Sequence, residues 1–161
     1  MLFAVVLVVA TLVAAALARR SAGWDVHARR GLAAALVFAG VAHLAGPEPF
    51  VQHLPTWVPA REPIVFVTGL VEIGFGVALF AARARRAAIG RFVALYLVAI
   101  WPANIYVAVA GVDVEGQPGG AYAWIRLPFQ ILFVAWALWA TRTAVAGDQP
   151  DVVTAVPAVV R

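Results

Sequence analysis

The chain of 161 residues is 64% hydrophobic and only 12% charged, whereas a soluble domain is about half apolar and about a quarter charged. Long uncharged stretches separate its charged residues, which is typical of a one-domain integral membrane protein. The net charge of +4 comes from arginines grouped at the ends of apolar runs, a placement that favours membrane topology over nucleic-acid binding. The absence of cysteine excludes disulfides, thiolate metal sites and thiol exchange within these residues.

Five apolar segments follow one another along the chain, at 2–18, 31–46, 64–82, 92–112 and 121–141. A transmembrane helix needs about 20 residues, with about 17–25 as the working range. Four segments meet this length, and the second requires tilt or local thinning of the bilayer. Because the basic residues of the first segment follow its apolar run, we expect a retained helix rather than a cleaved signal peptide. The sequence therefore predicts an all-α, polytopic membrane helix bundle.

The arginines also predict the orientation of this bundle. The connections 19–30 and 83–91 carry four arginines each, whereas 47–63 carries one and 111–120 carries none. Because arginine-rich connections stay in the cytoplasm, we expect the N-terminus outside and the C-terminus inside. The expected units are then an N-terminal helix with its basic cytoplasmic loop (1–30), a four-helix core (31–142) and a flexible cytoplasmic tail (143–161).

The external connection 47–63, PEPFVQHLPTWVPAREP, interleaves five prolines with apolar residues. Proline disfavours a regular helix here, and the apolar residues disfavour a fully solvated loop. We expect a stiff segment at the outer interface, either a lid over the bundle or an aromatic anchor. Its candidate residues are Pro55, Trp57 and Pro59, and Trp101 of the fourth segment is assigned to the same interface.

A small set of polar residues lies inside the predicted helices: His43, Thr68, Glu72, Asn104, Arg126 and Gln130. At about 1.5 Å per residue from the external boundary, Glu72 lies roughly 13 Å deep and Arg126 about 3 Å. Asn104 and Gln130 fall roughly 9–10 Å deep, so either is expected to contact Glu72. Arg126 is expected either to pair with Glu72 or to reach lipid phosphate.

Two interpretations of this polar set remain open. The six residues could be interhelical hydrogen-bonding glue, but glutamine or asparagine would serve that role, so Glu72 favours a ligand or proton site. His43, His53 and Glu72 show no HxxxH or HExxH spacing, and we expect no metal. Gly74 and Ala78 form a small-xxx-small pair that predicts close helix packing on another side.

Several short strings, in this order and spacing, resemble the DoxX-like family of small bacterial membrane proteins: AGVAHL (39–44), LPTWVP (54–59), VTGLVEIGFGVALF (67–80), WPANIY (101–106) and RLPFQ (126–130). The resemblance covers about 31–142 and implies a four-helix core in the bacterial plasma membrane, with segment 2–18 as an addition. Members of that family are linked to quinone-coupled sulfur oxidation and to oxidative-stress complexes. An animal relative assists the assembly of nicotinic acetylcholine receptors.

From these observations we expect an accessory membrane protein without catalytic activity of its own. It would bind a lipophilic or quinone-like ligand, or a partner's transmembrane segment, in an outward-facing pocket centred on Glu72. One alternative is a membrane subunit of a quinone-coupled oxidoreductase, in which Glu72 and His43 pass protons and Arg126 holds a ligand oxygen. Another is a membrane-protein assembly chaperone. The expected partners are the lipid bilayer and a membrane or redox protein, the expected cofactor is a quinone or lipid, and no nucleic acid is expected.

Overall fold

The computed structural model describes residues 2–18, 23–81 and 83–142, and all regular secondary structure in these ranges is helical. The helices are α1 (Leu2–Leu17), α2 (Trp24–Ala45), α3 (Glu48–Val51), α4 (Arg61–Ala81), α5 (Arg86–Ala110) and α6 (Ala121–Thr141), with a 3-10 turn at Arg83–Arg85. The predicted all-α bundle is confirmed. The predicted tail at 143–161 and the pair Arg19-Arg20 lie outside the described residues.

Four helices, α2, α4, α5 and α6, are long and apolar enough to cross a membrane, and α1 is shorter at 16 residues. The prediction was therefore wrong about which segment is short. Helix α2 begins at Trp24 rather than at residue 31, so residues 24–30 form two helical turns and not a basic loop. Hydropathy underestimates this helix because Arg29 and Arg30 interrupt the apolar pattern, although arginine is a good helix former.

The bundle is organised around α2, which packs against α1, α4 and α6, while α5 packs mainly against α6. Helices α4 and α5 are joined by the 3-10 turn but contact each other little. The shared core contains Leu32, Leu36, Leu79 and Val93. We call the side with the start of α2 and the residues around 83–91 the basic end, and the side with the connections 46–60 and 111–120 the α3 end.

Helices α2 and α4 approach closely at Gly40 and Gly69, where a Cβ on Gly69 would lie 2.8 Å from the Cβ of His43 and 3.0 Å from the carbonyl oxygen of Gly40. Small residues permit such contact between helix backbones. A Cβ on Gly74 would meet nothing within 4 Å among the described residues, so the predicted packing role of Gly74 is wrong. The close contact places His43 and Glu72, each three residues beyond one of the two glycines, next to each other.

Candidate ligand-binding site

A cavity of about 980 Å³ lies between α2, α4, α5 and α6, beneath the connection 46–60. This volume is at the upper end of the range of about 300–1,000 Å³ for ligand pockets. Most of its lining is apolar, including Leu97, Ile100, Phe129 and Phe133. All six polar residues singled out from the sequence also line it: His43, Thr68, Glu72, Asn104, Arg126 and Gln130. The chain therefore brings the whole predicted set to one cavity, and their role in binding stays a prediction.

Glu72 is the buried acidic group of this cavity, with a relative exposure of 4%. Its Oε1 accepts a hydrogen bond of 2.9 Å from the Tyr96 hydroxyl. Its Oε2 lies 3.3 Å from Nδ1 of His43, but that Nδ1 is also 2.8 Å from the carbonyl oxygen of Ala39. Because a carbonyl oxygen can only accept, the Nδ1 proton belongs to the bond with Ala39. Within the described ranges, Oε2 of Glu72 is therefore buried without a hydrogen-bond partner.

The expected contact of Glu72 with Asn104 or Gln130 is not formed. Gln130 donates to the carbonyl oxygen of Leu97 at 2.6 Å, and Asn104 accepts from Arg126 at 2.8 Å. The predicted contact was based only on the depth of each residue along its helix. The partner of Glu72 also depends on the length and direction of the neighbouring side chains. Tyr96 is placed deeper on α5 than Asn104, and its long side chain reaches the carboxyl group first.

A second polar cluster surrounds Arg126 nearer the α3 end. Its Nη1 lies 2.9 Å from Nε2 of His53 and also donates to Oε1 of Gln117, and its Nη2 donates to Asn104. The guanidinium is thus turned into the cavity, and the expected pair with Glu72 is not formed. Contact of Arg126 with lipid phosphate stays a prediction. His53 and Gln117 come from two different connections, so the cluster depends on tertiary structure.

His53 takes part in this cluster as a neutral imidazole. Burial is the main cause that lowers the pKa of His53, and the hydrogen bond to Pro49 opposes this shift; with the positive charge of Arg126, which also lowers the pKa, the net value is about 4. Nδ1 lies 2.6 Å from the carbonyl oxygen of Pro49 and therefore carries the proton. Nε2 is left as an acceptor for Arg126, which agrees with the observed contact.

The two clusters are both held by α5, at Tyr96 and Asn104. These residues are eight positions apart (104 − 96), which corresponds to about 12 Å along a helix. Ile100 lies between them on the same face and also lines the cavity. The i, i+4, i+8 spacing of these three residues was the sequence signal that could have identified Tyr96.

The connection 46–60 covers the cavity at the α3 end. It begins with the one-turn helix α3, although its prolines predicted no regular helix. Pro55 and Trp57 line the cavity, as expected for a lid, whereas Pro59 and Trp101 do not. Pro59 is exposed, and Trp101 lies on another side of α5. The side-chain oxygen of Gln52 accepts a hydrogen bond of 2.7 Å from the backbone N–H of Glu115, which ties this connection to 111–120.

No group of three His, Cys, Asp or Glu residues in 2–18, 23–81 and 83–142 is placed to hold a metal ion. The model of a family described as a domain of unknown function (DUF8561) matches residues 32–141. No curated protein and no solved structure matches the chain. The resemblance to DoxX-like proteins thus stays a prediction that no comparison tests.

Proposed function

This chain belongs to the DUF8561 family, a domain of unknown function, and on that premise we propose that it is a small membrane protein that binds a lipophilic ligand in the cavity around Glu72. The proposed role is accessory, without a catalytic activity of its own. The ligand is a quinone-like molecule or another amphiphile, or else a partner's transmembrane segment. The observation that carries the proposal is a largely apolar cavity of about 980 Å³ that Glu72 helps to line, together with the buried Oε2 of Glu72, which has no hydrogen-bond partner among the described residues.

A buried polar atom without a partner destabilises a folded protein by about 1–3 kcal/mol. A glutamate whose only role was to hydrogen-bond neighbouring helices would be expected to have partners for both carboxyl oxygens, and Oε2 has none among the described residues. A ligand hydroxyl or N–H group that reaches Oε2 would supply the missing donor. The apolar walls at Ile100, Phe129 and Phe133 would bury the rest of such a ligand.

The distribution of arginine supports an orientation for the bundle. Arg29, Arg30, Arg85, Arg86 and Arg91 lie at the basic end, near the ends of the long helices. By the positive-inside rule this end faces the cytoplasm. We propose that the α3 end, with the cavity, faces the outside of a bacterial plasma membrane, and that the N-terminus of α1 lies on the outer side.

A quinone-coupled oxidoreductase subunit is the second candidate. It is supported by the proximity of Tyr96, Glu72 and His43, which are separated by 2.9 and 3.3 Å. Ionisable groups at such distances can deliver protons to a quinone while an electron-donor protein partner reduces it to the quinol. The assembly-chaperone alternative stays a prediction, and stoichiometric co-purification of another membrane protein would support it.

The proposal is tested with protein purified in nanodiscs of neutral lipid. Native mass spectrometry and absorbance spectra of the wild type are compared with those of Glu72→Gln. Glu62→Gln, an exposed glutamate of α4 that does not line the cavity, is the matched control. We expect a bound lipophilic species, or one taken up from added short-chain benzoquinone, in the wild type and in the control only. If no variant binds any species and Glu72→Gln only lowers the melting temperature, Glu72 is structural glue.

A further inference from the structure

Arg126 carries a positive charge that no acidic side chain neutralises among the residues that the structure describes. It forms no ion pair with any described carboxylate. Its acceptors are Asn104, Gln117 and His53, all of which are uncharged. A half-buried guanidinium with only neutral partners remains an uncompensated cation. The cavity therefore offers a binding position for an anion.

The same guanidinium retains free hydrogen-bond donors. Arginine has five N–H groups, and the three contacts to Asn104, Gln117 and His53 occupy two on Nη1 and one on Nη2. The Nε–H group and the second N–H of Nη2 have no acceptor in the described ranges. The planar guanidinium suits two oxygens of one carboxylate or phosphate group. Because its three partners come from α5 and from both connections at the α3 end, the group is held in place before any ligand binds.

The mouth of the cavity is apolar. Trp57, Ile64, Ile105 and Val109 line the cavity and are also exposed at the protein surface, with relative exposures of 80% for Trp57 and 69% for Val109. Ile64 lies at the start of α4 and Val109 near the end of α5, the two helices that contact each other little. A gap between two membrane-length helices that is bordered by apolar side chains faces lipid rather than water.

We propose that the natural occupant is an anionic amphiphile with one apolar chain that enters from the membrane between α4 and α5. Its carboxylate or phosphate group binds Arg126, and its chain lies among Leu97, Ile100 and Phe133. This inference rests on the proposed function, in that it concerns the ligand of the same cavity: the anionic group at Arg126 is a second polar contact, separate from the donor proposed for Oε2 of Glu72. It adds a specificity role for Arg126, with Asn104, Gln117 and His53 as positioning residues.

The test compares ligands that share a twelve-carbon chain and differ in head group: dodecanoate, dodecyl phosphate and dodecanol. Dissociation constants are measured for the full chain in phosphatidylcholine nanodiscs by native mass spectrometry and by ligand-induced shifts of the melting temperature. We expect the wild type to bind one of the two anions about 10-fold or more tightly than dodecanol, since charge-assisted bonds are the stronger ones. The better anion distinguishes a carboxylate ligand from a phosphate ligand.

Arg126→Gln should remove this preference, so that the variant binds neither anion more tightly than dodecanol. Arg61→Gln is the control, because Arg61 lies at the same α3 end but does not line the cavity. If Arg126→Gln does not fold, Arg126→Lys is measured instead: it should reduce the ratio of anion affinity to dodecanol affinity, because lysine lacks the planar pair of donors. Equal weakening of both, or loss of the preference in Arg61→Gln, overturns the inference.

The outcomes also separate this inference from the proposed function. Equal binding of dodecanol and both anions by the wild type would reject the anion preference while the cavity remains a lipophilic site. Failure of all three ligands, together with the absence of any co-purified species, would reject both.

Discussion

Replacement of Tyr96 by phenylalanine tests whether the Glu72 cluster is the buried polar centre of the bundle. The Tyr96 hydroxyl is the only hydrogen-bond donor to Glu72 among the described residues. Tyr96→Phe would therefore leave both carboxyl oxygens of a side chain with 4% exposure without a partner. An unsatisfied buried group of this kind costs about 1–3 kcal/mol. For a chain of this length, we expect the melting temperature to fall by about 2–4 °C per kcal/mol, thus by about 2–12 °C.

Melting can be followed by intrinsic fluorescence, because the chain contains six tryptophans. Tyr106→Phe is the matched control: Tyr106 lies on the same helix and lines the same cavity, but its hydroxyl has no hydrogen bond to any described residue. Its replacement should change the melting temperature by less than about 2 °C, since only an unpaired hydroxyl is lost.

A double-mutant cycle with Glu72→Leu then isolates the pair. In that background Tyr96→Phe should have little effect, because there is no carboxyl group left to satisfy. Equal effects of Tyr96→Phe and Tyr106→Phe in the wild-type background, or an effect of Tyr96→Phe that is the same with and without Glu72, would show that the Tyr96–Glu72 hydrogen bond does not stabilise the bundle.

The other predictions concern pH, helix packing and orientation. The pKa of His53 is about 4 in the folded protein and about 6.5 in the unfolded chain. Neutral His53 therefore makes its full contribution to the free energy of unfolding above pH 6.5, and this contribution is lost as the pH falls toward 4. At pH 5 the loss is about 2 kcal/mol. His53→Gln should therefore show a smaller drop in melting temperature between pH 7 and pH 5 than the wild type. An equal drop in both would show that other groups cause the loss of stability at low pH. Gly69→Ala should destabilise the bundle by about 1–3 kcal/mol by overpacking α2 against α4, whereas Gly74→Ala should be neutral or stabilising by up to about 1 kcal/mol, as judged by melting temperatures. A cysteine at Asp113 in intact cells should react with an impermeant maleimide and one at Arg85 should not; the reverse pattern would invert the proposed orientation.

Three of the four membrane-length helices, α4, α5 and α6, and the six polar residues that line the cavity could be predicted from the sequence. Apolar stretches of about 20 residues are local features, and the i, i+4 spacing of Thr68 and Glu72, like that of Arg126 and Gln130, decides which residues share a helix face. Positions along antiparallel helices then place these faces at similar depth. For that reason the six polar residues could be assigned to the same half of the bundle before any tertiary contact was known.

Only the tertiary structure decided how the polar residues pair. Tyr96 rather than Asn104 reaches Glu72, and Arg126 is held by His53 and Gln117 from the connections instead of by an acid. These pairings depend on the reach of long side chains and on the fold of two irregular segments, and neither has a periodic signal in the sequence. The depth of a residue and the helix face on which it lies limit which side chains can come into contact. Which of them form a hydrogen bond depends on donor–acceptor distances of about 3 Å. Distances of that accuracy are determined only when the helices are packed together.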